Sequence, residues 1–251
     1  MSLTPEQRIE QLEAELAAQR SEMQDFTYTV SHDLRASLRH IISYAHLVQE
    51  DAGPQLSAEV QGFLATITDS AKHMGLLMDG LMELSRLGTV PLNVGPTPVQ
   101  DAVAEVRDDL SANYAQRVLE WRIQPQLPWV LADGSLFALA LRQVLDNAIK
   151  FSAHRPLAVL EVAAQRDPEW VHLEIRDNGA GYNPAMQERL FHPFQRLHTA
   201  RQFPGIGMGL ALTRKIMQRL GGSVSAQAQV DQGCCVRLSL PAATPRQTCS
   251  A

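Results

Sequence analysis

His32 is followed directly by Asp33, so an imidazole able to react at neutral pH has a carboxylate as its immediate neighbour. Further along, Gln143 and Asn147 stand four residues apart, and on a helix their amides share a face. Amide oxygens are hard ligands suited to Mg2+, which keeps several waters and bridges to phosphates, and Lys150 adds a point charge that can reach a phosphate. Asp177-Asn178-Gly179-Ala180-Gly181 ends an apolar run. Glycines at alternate positions describe a sharp turn that brings backbone close to a ligand. A buried Asp177 can accept a hydrogen bond from an exocyclic amine such as that of adenine; the competing view is a plain strand-to-loop turn capped by its aspartate. Gly205-Ile206-Gly207-Met208-Gly209-Leu210 opens a helix whose free N–H groups and dipole suit phosphates. Its alternating glycines do not follow the Rossmann pattern. Between the two glycine stretches, Phe191, Phe194 and Phe203 accompany Arg196 and Arg201. That composition suits a lid over a nucleotide, and either arginine is placed to meet a terminal phosphate or to stay solvated.

The elements that must carry these groups follow from periodicity. Ile9, Leu12, Leu16, Met23, Phe26 and Val30 predict one helix from residue 4 to about residue 50 with a buried stripe. His32, two residues past Val30, is rotated about 200° away and faces water. Gly53-Pro54 stops that helix. Ser57 caps a second, ending at Gly88, whose Val60, Leu64, Ile67, Ala71, Met74, Met78, Leu81 and Leu84 form nearly a heptad stripe. The pair is an antiparallel hairpin. One hairpin cannot cover both stripes, so two copies in a dimeric four-helix bundle are expected; the alternative is packing against the chain's own second half.

A proline- and glycine-rich linker at 88–98, with strand character at most, leads to a second domain. There we expect a helix over 99–113, strands near 118–123 and 129–132, and a helix capped by Asp133-Gly134-Ser135 that reaches Phe151. Strands near 156–165 and 169–176, a helix opened by Gly205–Gly209 and ending at Gly221-Gly222, and strands near 223–229 and 234–240 complete it, finishing at Pro241 with a disordered tail. Elements in that order predict an α/β sandwich with helices on one face of a mixed sheet. The expected domains are a signalling helix at 1–24, the hairpin at 25–90, a linker at 91–98, an ATP-binding domain at 99–241 and a tail at 242–251.

The 251 residues are 45% hydrophobic, enough for two cores. A net charge of -5 and a pI near 5.9 leave no electrostatic footprint for nucleic acid or anionic membrane. Cys234, Cys235 and Cys249 lack metal spacing, and adjacent cysteines on a strand point to opposite faces, so a reducing compartment is expected. No leader or span is visible, since Arg142 interrupts the apolar run from Leu136 to Leu145. A soluble, cytoplasmic chain is expected, with a sensor region upstream of Met1.

Taken together, Ser31–Arg35, Asn147–Phe151, Asp177–Gly181, Phe191–Phe194 and Gly205–Leu210 resemble the H, N, G1, F and G2 boxes of two-component sensor histidine kinases. The wording of Asp25–Leu47 and Phe194–Leu210 is most similar to transmitters behind phytochrome or PAS sensors. The resemblance implies a dimerising hairpin that presents His32 as phospho-acceptor, with Asp33 orienting the imidazole and taking a ring proton. It implies a Bergerat-type catalytic domain, the ATP-binding fold shared with DNA gyrase. There Asn147, with Gln143, would hold Mg2+, Lys150 and Arg196 would meet phosphate, and Phe151 and Leu210 would line the nucleotide. Asp177 would bind the adenine amine, Gly179 and Gly181 would shape the pocket, and Gly205, Gly207 and Gly209 would form the lid hinge. ATP and Mg2+ are the implied cofactors, and a response regulator's aspartate the implied phosphoryl acceptor.

Four positions depart from the family's usual pattern: Ala36, Ser37, Gln143 and Ile206. Ala36 stands where a Thr or Asn commonly supports regulator dephosphorylation. Ser37 stands for a common Pro, Gln143 for Asn, and Ile206 for Thr or Ser. The competing functions are a degenerate dimeric scaffold and a regulator phosphatase.

Overall fold

The computed structural model describes residues 4–199 and 202–244, apart from the side chain of Arg20. The chain divides into two compact units, at Arg86 and Leu87.

The first unit is a helical hairpin. Helix α1 runs from Pro5 to Ala52 and is opened by a reciprocal cap between Thr4 and Gln7 with proline at its first turn, which satisfies N–H groups a helix cannot pair internally. It ends where Gly53–Gln55 tightens into a 3-10 turn. Ser57 then accepts from the Val60 amide at 3.3 Å and helix α2 runs Ala58–Arg86.

Seven-residue rows decide what faces what. Ser31, Leu38 and Ala45 of α1 are buried, and Leu64, Ala71 and Met78 of α2 are buried or half-buried. The companion rows, Leu34-Ile41-Val48 and Val60-Ile67-Met74-Leu81, remain exposed. The predicted stripe therefore splits, because one partner helix can cover only one row of an a/d pair.

In the N-terminal part of the α1 stripe, Ile9, Leu12, Leu16, Met23, Phe26 and Val30 are 38–65% exposed in the single chain, and the expected second copy is what would cover them. The Gln24 amide donates to the Ser85 carbonyl at 3.1 Å, one residue from the end of α2, so the helix before Gln24 runs on past the end of its hairpin partner.

The second unit is a two-layer α/β sandwich. Its strands are β1 (Gly95–Pro98), β2 (Leu119–Ile123), β3 (Trp129–Ala132), β4 (Ala158–Arg166), β5 (Trp170–Asp177), β6 (Ser223–Ala228) and β7 (Cys234–Ala243), and its helices are α3 (Val99–Asn113), α4 (Gly134–Phe151) and α5 (Gly209–Arg219). The sheet order is β1-β3-β7-β5-β4-β2, with β6 also on β7. The β2–β4 pair is parallel and the others are antiparallel.

Helix α4 is the central beam. Asp133 caps it through the Ser135 and Leu136 amides, and its Phe137, Leu141, Leu145 and Ile149 are fully buried, as are Leu160, Leu173, Ile175, Leu238 and Leu240 of the sheet. Alternation along β4 and β5 places these side chains on one face. The opposite face carries Glu174 paired with Arg237 and Arg122 bridging Glu120 and Glu161.

The last strand extends further than expected. Rather than finishing at Pro241, β7 continues to Ala243. Pro241 sits where the strand leaves β5, opposite Trp170, and begins pairing with β3 at Ala242 and Ala243. A residue without an N–H is tolerated at such a change of partner.

Candidate active site

Two sets of groups lie in the two units. On the hairpin, His32 has a side chain 66% exposed because it follows Ser31, whose row turns toward α2. Its Nδ1 lies 3.2 Å from Asp33 Oδ1. A carboxylate on Nδ1 fixes the ring and leaves Nε2 outward, the atom free to attack an electrophile. Tyr28, one turn earlier, stacks its ring at 6.5 Å from the imidazole. One turn later Arg35 ties α1 to α2 through Asp79 at 2.6 Å. Ser37 folds its hydroxyl back onto the Asp33 carbonyl at 3.3 Å.

In the sandwich, α4, the β5 turn and the start of α5 converge. Lys150 Nζ donates to Asn147 Oδ1 at 2.7 Å and lies 4.6 Å over the Phe151 ring. Burial pushes the lysine's pKa down, the nearby Asp146 charge opposes that, and the Arg196 charge adds to it. Arg196 thus shares the neighbourhood of Lys150, while its own guanidinium donates to the Phe203 carbonyl at 2.5 Å. Arg201 lies outside the described residues.

The glycines mark close approaches. A Cβ on Gly209 would sit 2.7 Å from Gln143 Oε1 and 3.4 Å from Asn147 Nδ2, and one on Gly205 would sit 3.5 Å from Lys150 Nζ. The glycine-rich segment that opens α5 is therefore laid across the amide-bearing face of α4, with Leu210 half-buried in the first turn. Gly207, with φ 76°, leaves only 2.5 Å between such a Cβ and the Gln195 carbonyl.

Asp177 is 8% exposed. It receives the Gly179 amide at 2.8 Å and the Cys234 amide at 3.2 Å, both on Oδ1. Burial pushes its pKa up to about 6 against the lowering effect of those two bonds. The turn is pinned from two sides. A Cβ on Gly179 would lie 2.6 Å from the Phe151 carbonyl, and one on Gly181, whose φ is 58°, 1.9 Å from the Gln229 carbonyl.

Several neighbours of this turn were not singled out from sequence. Arg155 donates to the carbonyls of Asn178 at 2.9 Å and Asp231 at 2.6 Å. Gly233 packs so closely that a Cβ would lie 1.9 Å from the Asp177 carbonyl. His198 Nε2 lies 2.8 Å from the Gly181 carbonyl, and its ring packs at 5.5 Å from Phe151 and 5.1 Å from Phe203. Phe203 is the buried anchor of the connection, whereas Phe194 is exposed with φ 61°. The only advance signal was the Asp231-Gln232-Gly233 turn composition before β7. Cys234 and Cys235 are free thiols, and Cys249 lies outside the described residues. Among the described residues no cluster of His, Cys, Asp and Glu could hold a metal, and no helix is long and apolar enough to cross a membrane.

Comparison with known proteins coincides with this division. Residues 22–89 match the family model described as His Kinase A (phospho-acceptor) domain. Residues 132–244 match that described as Histidine kinase-, DNA gyrase B-, and HSP90-like ATPase. Cyanobacterial phytochrome A of Nostoc sp. is 29% identical over 231 residues, covering 92% of this chain and 30% of the relative. The methanogenesis regulatory histidine kinase FilI of Methanothrix harundinacea is 30% identical over 227 residues, covering 90% of this chain and 25% of the relative. The chain thus spans less than a third of the length of these curated relatives. The crystal structure of full-length ShkA in complex with AMPPNP superposes with a TM-score of 0.62 at 24% identity, covering 88% of this chain and 46% of that one, a likeness of fold. With a phospho-acceptor hairpin followed by an ATPase-type sandwich, the chain belongs to the sensor histidine kinases as a transmitter module.

Proposed function

We propose that this chain transfers the γ-phosphoryl group of ATP to His32 and then to an aspartate of a response-regulator receiver domain. The observation that carries this reading is the outward imidazole of His32 with its Nδ1 held by Asp33 in a segment matching a phospho-acceptor domain. In the reaction Nε2 attacks the γ-phosphorus, the bond to the bridging oxygen breaks toward ADP, and Asp33 takes the Nδ1 proton.

The buried carboxylate of Asp177 suits an adenine amine, since both protein bonds fall on Oδ1. Gly179 and Gly181 leave room for the base beside Phe151, and Lys150, Arg196 and the turn formed by Gly205, Gly207, Gly209 and Leu210 suit the phosphates. Mg2+ fits the donor set: the Gln143 and Asn147 amide oxygens would hold it, and it would neutralise phosphate charge. Lys150, bonded to Asn147, would move to a phosphate.

The partners follow from the same unit. The exposed rows Leu34-Ile41-Val48 and Val60-Ile67-Met74-Leu81 suit a second hairpin in a four-helix bundle. The relatives' greater length supports a sensor region in the parent protein. The assignment of 1–24 to a signalling helix, 25–90 to the hairpin, 91–98 to a linker and 99–241 to catalysis completes the proposal, with the whole module in the cytoplasm.

Incubation with γ-labelled ATP and Mg2+ should give acid-labile label on the protein, absent in His32→Ala. Label that persists in that variant would overturn the site assignment, and ATP binding without any label would favour the scaffold.

A further inference from the structure

Two buried side-chain polar atoms among the described residues lack a hydrogen-bond partner: Trp121 Nε1 and the Tyr182 hydroxyl. Trp121 belongs to β2 at the end of the sheet. Tyr182, by contrast, closes the Asp177–Gly181 turn and is only 6% exposed. A hydroxyl withdrawn from water without a partner is unfavourable, and native folds rarely keep one without a reason.

The surroundings of Tyr182 suggest that reason. The residue before it, Gly181, packs against the Gln229 and Gly233 carbonyls and has His198 on its own carbonyl. The residue after Gly233 is Cys234, whose amide binds Asp177 Oδ1. Burial and then the Cys234 sulfur push the Tyr182 pKa up to about 12, so the hydroxyl keeps its proton at physiological pH and can donate it. Asp177, Tyr182 and Cys234 are thus neighbours at one turn, and the Tyr182 hydroxyl there has no hydrogen-bond partner.

We propose that the Tyr182 hydroxyl is a second base-reading group, donating to a ring nitrogen of the adenine whose amine Asp177 accepts. This rests on the proposed nucleotide site. An ionised carboxylate only accepts and a phenol donates, so together they read an amine beside a ring acceptor. Adenine presents that pair, whereas guanine places a carbonyl where its amine would be. The combination selects adenine over guanine at one edge of the base.

The test uses the intact chain with a non-hydrolysable ATP analogue, Tyr182→Phe, and the same analogue built on 7-deaza- and 1-deaza-adenine. Tyr182→Phe should weaken the analogue about three- to tenfold while leaving the melting temperature of the nucleotide-free protein unchanged or higher. One deaza compound should bind wild type and Tyr182→Phe equally. Unchanged affinity in Tyr182→Phe, or a lowered melting temperature with the same loss for every analogue, would overturn the inference while leaving nucleotide binding intact. A wild-type chain that binds no adenine nucleotide would overturn the underlying site as well.

Discussion

Lys150 Nζ and Asn147 Oδ1 are 2.7 Å apart, so the cation and the amide oxygen proposed for phosphate and metal occupy each other in the free protein. A ligand must separate them, which couples metal binding to phosphate binding. Asn147→Ala should therefore remove the stimulation of nucleotide affinity by Mg2+ while binding in EDTA changes less than about threefold. Calorimetric titration with and without Mg2+ checks this. Equal Mg2+ stimulation in both proteins would be inconsistent with the role given to Asn147.

The buried carboxylate of Asp177 makes a pH prediction whose sign is fixed. Its pKa rises from 3.8 to about 6 on folding, so the protonated form stabilises the fold below pH 3.8 and that contribution is lost as pH rises through about 6. At pH 8 the ionised group costs the fold about 3 kcal/mol. Asp177→Asn should consequently gain stability relative to wild type between pH 4 and pH 8, measured by chemical denaturation without nucleotide. A difference that stays constant with pH would contradict the assigned burial. Nucleotide affinity of the wild type should fall as pH drops below about 6, since only the carboxylate form accepts freely from an amine.

Gly181 and Gly221 provide a matched pair. Both have positive φ, 58° and 72°, but a Cβ on Gly181 would meet the Gln229 carbonyl at 1.9 Å, whereas one on Gly221 meets nothing within 4 Å. Gly221→Ala should cost about 1 kcal/mol from backbone strain alone. Gly181→Ala should cost several times as much, on the order of 3 kcal/mol or more, and should also abolish nucleotide binding. Comparable midpoints for the two variants in urea would show that the turn can relax.

Ile67 belongs to the exposed row of α2, so Ile67→Glu leaves the single hairpin's own packing untouched. In a pair of hairpins the same change buries charge in an apolar seam. Sedimentation should show dimerisation weakened at least about a hundredfold, with helix content preserved at high protein concentration. An unaltered dimer would place the interface elsewhere.

Local signals made much of the fold legible. The helix bounds at 99–113 and 134–151 follow from Asp133, the linker prolines and apolar periodicity, all of which act over a few residues. Long-range pairings were not legible in this way. Nothing near Asp177 announces that Gly233 and Cys234, more than 50 residues later, will close over it, because that contact exists only once β5 and β7 are paired. The His198 bond to Gly181 and the Arg155 bonds to Asn178 and Asp231 have the same origin. What covers the stripe before Gln24 was not legible for a simpler reason: periodicity reports an apolar face but carries no information about whose side chains cover it.

The glutamate and arginine pairs on the bare side of the sheet also bear on self-association. Arg237 with Glu174, and Arg122 with Glu120 and Glu161, satisfy each other across neighbouring strands and offer an approaching sheet charge rather than hydrocarbon. In the proposed dimer, self-recognition would fall to the α1–α2 hairpin, and a severed sandwich should stay monomeric in solution while the severed hairpin should pair.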